Sequence, residues 1–307
     1  MQLPATLINY RGEERRVGVE IEFAGIEVEQ AVTSVCAVFG GDVHYDSRFV
    51  ARVADTRYGE FRVELDAHFL HDDGYRSVLS RLGVDLAAFD LERPLEELLA
   101  GIAAILVPLE ICMPPIPMRD LSLVEKVVSA LRGYGAQGTS SAFRYAFGMQ
   151  FNIEAASLEA ADILAVLRAY LVHARDTRPR AAIDLTRRLS PFVRPFDDAF
   201  VAHFLAPDYV PDRTTLIDDY LRLNPSRNRP LDLLPLFAFL DEDRVMSGAA
   251  EPHLVKPRPA WHYRLPDCHV DRPEWRAADA WAGWVDIEAL AEDRARLDAA
   301  LYHGGVR

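Results

Sequence analysis

Val17-Gly18-Val19-Glu20-Ile21-Glu22-Phe23 carries apolar side chains at its odd positions and two carboxylates at neighbouring even ones. Successive side chains of an extended strand point to opposite faces, so Glu20 and Glu22 stand about 7 Å apart on one face, over an apolar underside. Half-exposed antiparallel strands commonly show polar residues to water. Solvated strands favour Thr, Lys and Arg, however, and two adjacent carboxylates with no base between them repel unless a cation lies there. The pair is read as the start of a cation site.

The same frame returns in Phe61-Arg62-Val63-Glu64-Leu65-Asp66-Ala67-His68-Phe69 and, more loosely, in Val107-Pro108-Leu109-Glu110-Ile111-Cys112-Met113. It recurs in Phe147-Gly148-Met149-Gln150-Phe151-Asn152-Ile153 and in Trp261-His262-Tyr263-Arg264-Leu265. If these strands share one antiparallel sheet, its apolar face needs a covering layer. The opposite face then gathers Glu20, Glu22, Glu64, Glu110, Gln150, Asn152, His262 and Arg264, a candidate active site.

Helical patterns fill the intervals. Glu29 to Phe39 has apolar residues at Val32, Val35, Cys36 and Phe39 and ends at Gly40-Gly41, as helix C-termini commonly do. Tyr75 to Ala104 reads as largely helical, interrupted at Pro94. Ser122 and Glu125 have capping-box spacing before Val127, Val128 and Leu131. Leu158 to Arg175 is amphipathic, and Asp286 to Tyr302 is expected to form a further helix. The order of elements is that of an α+β fold, with helices packed on the apolar side of a mainly antiparallel sheet. Arg178 to Pro195 and Glu251 to Pro259 read as ordered, irregular loops, and Gly133 to Phe143 as a lid. The tryptophans from Trp261 to Trp284 are placed in the core.

With 307 residues, 50% hydrophobic and 26% charged, the chain can bury a substantial core. A formal charge of -13 argues against nucleic acid as a partner, because such binding rests on surplus Lys and Arg. Cys36, Cys112 and Cys268 lie far apart with no CxxC spacing, which indicates neither a zinc knuckle nor a disulfide framework. No apolar run has the length of a membrane span, and Met1-Gln2-Leu3-Pro4 does not begin a signal peptide, so no membrane partner is expected and the cytoplasm is the expected location.

GxxxxGK[ST], HExxH and GxSxG are absent, and no GxGxxG follows a strand. A bound nucleotide would therefore have its phosphates held by metal-bridged carboxylates and by arginines. Asn224-Pro225-Ser226-Arg227-Asn228-Arg229-Pro230-Leu231-Asp232 sets two guanidinium groups in a polar turn before the apolar helix Leu233 to Leu240. Forked donors and free helix-entry N–H groups suit an anion there. Pairing of Arg227 or Arg229 with Asp232 or a helix end is the competing account.

In this order, Gly18-Val19-Glu20-Ile21-Glu22-Phe23, Leu109-Glu110-Ile111-Cys112-Met113-Pro114-Pro115, Gln150-Phe151-Asn152, the Asn224 to Asp232 turn and Tyr263-Arg264-Leu265-Pro266-Asp267 resemble the amidoligases. These are carboxylate–amine ligases of the glutamine synthetase and glutamate–cysteine ligase superfamily. The resemblance runs from about Arg16 to Asp267. It implies a glutamine synthetase-like catalytic fold: a curved, mainly antiparallel sheet binding ATP and magnesium. It also implies a single catalytic domain over 1–307, with a core of about 16–267 and a C-terminal helical extension of about 275–307. ATP would phosphorylate a small-molecule or peptide carboxylate, and an amine would attack the acyl phosphate to give an amide or isopeptide.

Residue by residue, the resemblance makes Glu20 and Glu22 metal ligands, joined by Glu110 and Glu64. Gln150 and Asn152 fall where relatives often carry His-x-Asn or His-x-His and would contact the cofactor. Arg264 matches the last-strand arginine that stabilises phosphoryl charge, aided by Arg227 and Arg229. His262 stands where glutamine synthetase-like enzymes tend to place a Glu and is expected to be a metal ligand in its place. Two alternatives use the same residues: a non-catalytic nucleotide- or peptide-binding module, and a metal-dependent hydrolase.

Overall fold

The computed structural model describes residues 1–47, 49–65, 109–139, 148–177, 194–265 and 267–304. The expected helix from Tyr75 to Ala104 lies outside these residues, as do Asp66 to Phe69, Val107, Pro108, Phe147, most of the Arg178 to Pro195 loop and the end of the expected lid.

A 9-stranded sheet organises the molecule, in the order β2-β3-β4-β5-β1-β7-β9-β8, with β6 pairing beside β1. Its strands are β1 (Arg16–Phe23), β2 (Asp42–Ser47), β3 (Val50–Thr56), β4 (Gly59–Leu65), β5 (Leu109–Cys112), β6 (Ile116–Pro117), β7 (Met149–Glu154), β8 (Leu231–Asp232) and β9 (Ala260–Leu265). Every pairing is antiparallel. The sheet is open, and with its helices the fold is α+β, as the sequence predicts. All the alternating segments join it, and their odd-numbered residues form the buried face. Val17, Val19, Ile21, Phe23, Phe61, Val63, Ile111, Phe151 and Ile153 are each 0% exposed.

The helices are α1 (Val28–Phe39), α2 (Leu123–Gly133), α3 (Ala160–Thr177), α4 (Asp198–Leu205), α5 (Arg213–Leu223), α6 (Leu234–Leu240), α7 (Glu242–Gly248), α8 (Ala277–Glu292) and α9 (Arg294–Gly304). Helix α1 packs on α2 and on β3 and β4, and α8 packs on α3. On α8, Trp281 meets Phe151 of β7 edge-on at 5.3 Å, while Trp284 lies 5.4 Å from the ring of Tyr263 on β9. Trp261, Trp281 and Trp284 are buried and Trp275 is partly buried against the core. A second aromatic cluster joins α4, α5 and α6: Phe200 lies 5.5 Å and Phe237 5.1 Å from the ring of Tyr220.

Several local details differ from expectation. Ser122 makes no capping hydrogen bond; Glu125 instead accepts from the Ala278 N–H at 2.6 Å, tying α2 to the start of α8. The capping box forms at α1, where the Glu27 N–H donates to Gln30 Oε1 at 2.9 Å. Gly40 caps its far end at φ 67, a conformation open to glycine at little cost. The helix expected over Asp286 to Tyr302 is two helices, because Asp293 leaves the helical conformation and its carboxylate accepts from the Arg296 N–H at 3.0 Å, capping α9. The hairpin β2–β3 and the short strands β6 and β8 are additions to the predicted set.

Arg15, 1% exposed, anchors α8 to the entry of β1. Its guanidinium donates to Glu288 at 2.5 and 3.0 Å, to the Thr6 carbonyl at 2.7 Å and to the Glu154 carbonyl at 2.9 Å. Trp284 Nε1 completes the pair by donating to Glu288 at 2.9 Å.

Candidate active site

Strand register carries the polar residues into rows. Glu64 of β4 lies opposite Glu110 of β5, which lies opposite Glu22 of β1. In the next row Arg62, Cys112, Glu20, Gln150 and Arg264 follow one another from β4 to β9. A third row runs Gly18, Asn152, His262, Asp232. Directly opposed side chains lie about 4.5–5.5 Å apart at Cβ, so the register alone brings the carboxylates of three strands into contact range.

The middle of this face is hydrogen-bonded from a cation to an anion. Arg264 Nε donates to Gln150 Oε1 at 2.7 Å, Gln150 Nε2 donates to Asn152 Oδ1 at 2.7 Å, and Asn152 Nδ2 donates to Glu20 Oε1 at 2.7 Å. Arg264 also contacts Asp232 at 3.2 Å and the Arg227 carbonyl. Each guanidinium nitrogen of Arg264 is thus engaged, yet two of its five N–H bonds remain for a ligand.

At the acidic end, Glu64, Glu110 and Cys112 each offer a ligand atom, all within 4.8 Å of one another. Glu22 accepts from the Gly148 N–H at 2.6 Å, and Arg62 pairs with Glu64 at 2.7 Å. Burial and the carboxylates Glu110, Glu20 and Glu64 push the Cys112 thiol up, favouring its protonated form and leaving oxygen as the available donor. An oxygen-rich set on adjacent strands fits a hard divalent cation such as magnesium. Of the expected metal ligands the structure brings Glu64 and Glu110 within ligating range of one another with Cys112, while Glu20 and Glu22 share the face outside that cluster.

Residues 13–286 match the protein family described as "putative amidoligase enzyme". This chain belongs to that amidoligase family. The family description is that of a ligase of the amide-bond-forming kind. Among curated proteins and among solved structures the chain has no significant match. None of the described helices of this amidoligase is long and apolar enough to cross a membrane.

At the basic end, the turn before β8 is held by buried Asn224, whose Oδ1 accepts from Arg229 Nε at 2.6 Å and whose Nδ2 donates to the Ser226 carbonyl at 3.1 Å. Arg229 donates from Nη1 to the Arg194 and Pro195 carbonyls, pairs through Nη2 with Asp197 at 3.6 Å and covers the Phe196 ring at 5.6 Å. The structure therefore places Arg229 inside the turn and apart from the polar rows. Arg227 does reach the face. Its guanidinium makes no hydrogen bond among the described residues, and burial with Arg264 nearby lowers its pKa against the opposing pull of Asp232, Glu251 and Glu20.

Asp232 was legible in the sequence only as a possible arginine partner, and it proves central. It is 1% exposed, accepts from the Leu234 N–H at 3.0 Å and holds Arg264. Burial raises its pKa while Arg264 and Arg227 pull the other way. His262 of the amidoligase sits in the third row with Nδ1 3.4 Å from Gln150 Nε2, and its Nε2 is buried with no hydrogen-bond partner. Gly148, which serves Glu22 through its backbone, carries no side-chain signal that sequence could reveal.

Proposed function

We propose that this amidoligase is an ATP-dependent carboxylate–amine ligase that forms an amide or isopeptide bond through an acyl phosphate. The observation that carries this reading is the single polar face on which carboxylates from β1, β4 and β5 lead, through Gln150 and Asn152, to Arg264 and Arg227. Phosphoryl transfer needs positioning and charge neutralisation more than covalent help, and such a face supplies anionic and cationic halves side by side.

In the first step a substrate carboxylate oxygen bonds to the γ-phosphorus of ATP as the bond to the β-phosphate oxygen breaks and ADP leaves. In the second the amine nitrogen bonds to the acyl carbon, the C–O bond to phosphate breaks with its electron pair, and the amine's proton passes to the departing phosphate. Magnesium, when bound, neutralises and orients the phosphate oxygens. Glu20, Glu22, Glu64 and Glu110 would hold it. The spare N–H bonds of Arg264 and the guanidinium of Arg227 donate to the transferred phosphoryl group. Gln150 and Asn152 keep Arg264 and Glu20 in fixed orientation. Arg229 shapes the turn that presents Arg227. The resemblance to the superfamily agrees with these roles.

Calorimetry with ATP and magnesium, followed by phosphate release assayed across acid and amine libraries, tests the reading. Amine-dependent phosphate release is expected. Absence of nucleotide binding overturns it, and binding without amine-dependent release points instead to a binding module.

A further inference from the structure

The hydrogen bonds of the polar face fix which atom of His262 carries a proton. Arg264 can only donate, so the Gln150 atom it meets at 2.7 Å is the carbonyl oxygen. The Gln150 amide nitrogen must then face both Asn152 Oδ1, at 2.7 Å, and His262 Nδ1, at 3.4 Å. From the other end, the Glu20 carboxylate only accepts, so Asn152 turns its nitrogen to Glu20 and its oxygen to Gln150. The two ends assign both amides the same way. Gln150 thus has one N–H for Asn152 and one for His262, Nδ1 is an acceptor, and the neutral ring bears its hydrogen on Nε2.

That Nε2 is the described residues' unsatisfied buried side-chain atom. A buried donor without an acceptor calls for an explanation, and a binding site is one. On the neighbouring strand Asp232 lies opposite His262 in register, and its oxygens accept from the Leu234 N–H and from Arg264. The charges acting on the ring are those of Arg264, Arg258 and Arg227. Burial and these cations hold the imidazole well below its ordinary range, in keeping with a neutral ring.

We propose that His262 is a neutral Nε2–H donor to an oxyanion oxygen of substrate, and that it is not a metal ligand. A nitrogen that holds a proton has no lone pair for a cation, whereas a carboxylate or phosphoryl oxygen satisfies the orphan donor. The inference rests on the ligase reading only in calling the anion a substrate group. The donor itself follows from the hydrogen-bond polarity.

The test is nitrogen-15 NMR of the full chain labelled at histidine, read first alone and then with inorganic phosphate, with acetate and with magnesium chloride. The expected result is an Nε2–H tautomer whose signal shifts with phosphate or with acetate, the responsive anion naming the phosphoryl or the carboxylate source. Magnesium alone should leave the proton in place. An Nδ1–H tautomer, no response to either anion, or loss of the Nε2 proton on adding magnesium overturns the proposal. His262→Leu should weaken binding of the responsive anion about tenfold, and His262→Gln, which keeps an amide donor, less. These readouts need no turnover, so failure of the ligase assay and failure of this proposal are separately visible.

Discussion

Glu20 accepts a hydrogen bond from Asn152 on one side and lies opposite Cys112 of β5 on the other, one row from the Glu22, Glu110 and Glu64 carboxylates. A Glu20→Gln variant keeps an oxygen for Asn152 while losing the charge, so the fold should persist and turnover should fall about 10²- to 10³-fold, as removal of a preorganised electrostatic group does elsewhere. Circular dichroism alongside the phosphate-release assay would separate the two effects. Away from the site, burial raises the Asp219 carboxyl, but bonds from Arg222, Tyr209 and His203 outweigh it and hold its pKa below the usual range. A depressed carboxyl stabilises the fold above its unfolded pKa and loses that contribution as pH falls through the folded value. The stability gap between the wild type and Asp219→Asn should therefore be widest above about pH 4 and shrink on further acidification, as urea titrations at stepped pH would report.

At the scale of elements, β1, β4, β5, β7 and β9 were legible because one face is buried and the other is polar, which writes a period of two into the sequence. The β2–β3 hairpin was not, since all of Asp42–Ser47 is exposed and burial imposes no pattern on it. Strand β8 is two residues long, too short for any period, and so the place of Asp232 on the polar face was not readable. Register was likewise unreadable: alternation says which face a side chain takes and not which neighbour it meets. The carboxylates, the two amides, His262 and Arg264 could be gathered on one face from sequence, but the chain from Arg264 to Glu20 needed the structure. Between sheet and helices, Trp281 is the joint, meeting Phe151 and donating from Nε1 to the Gln2 carbonyl at 2.7 Å. Trp281→Ala should cost about 3–5 kcal/mol in denaturant unfolding, the range for deleting a large buried aromatic.

Across the whole molecule, the amino-terminal segment and the carboxy-terminal helices close on each other through Arg15 and Glu288. We propose that α8 and α9 belong to the same folding unit as the sheet. A Glu288→Ala variant leaves a buried guanidinium without its carboxylate and should lose about 3–5 kcal/mol, whereas replacing both partners by apolar residues of similar volume should lose much less. Thermal unfolding of the single and double variants checks this, and two separate transitions in the wild type would contradict the shared unit. Gly138 tests a different junction, because a Cβ there would stand 2.3 Å from the Cys268 carbonyl and 2.8 Å from His269 Cα, both backbone atoms. Gly138→Ala should force the segment after β9 away and lower the melting temperature.

Arg15 and Glu288 are separated by 273 positions. At ribosomal speeds of about 5–20 residues per second, roughly 14 to 55 s pass between the emergence of the first and of the second. Throughout that interval the guanidinium has no carboxylate to accompany it out of water, so the entry to β1 cannot settle into its final burial. The nascent sheet must wait with its apolar face incomplete, a period in which a chaperone would be most needed and in which ribosome-bound truncations ending before α8 should stay open to protease.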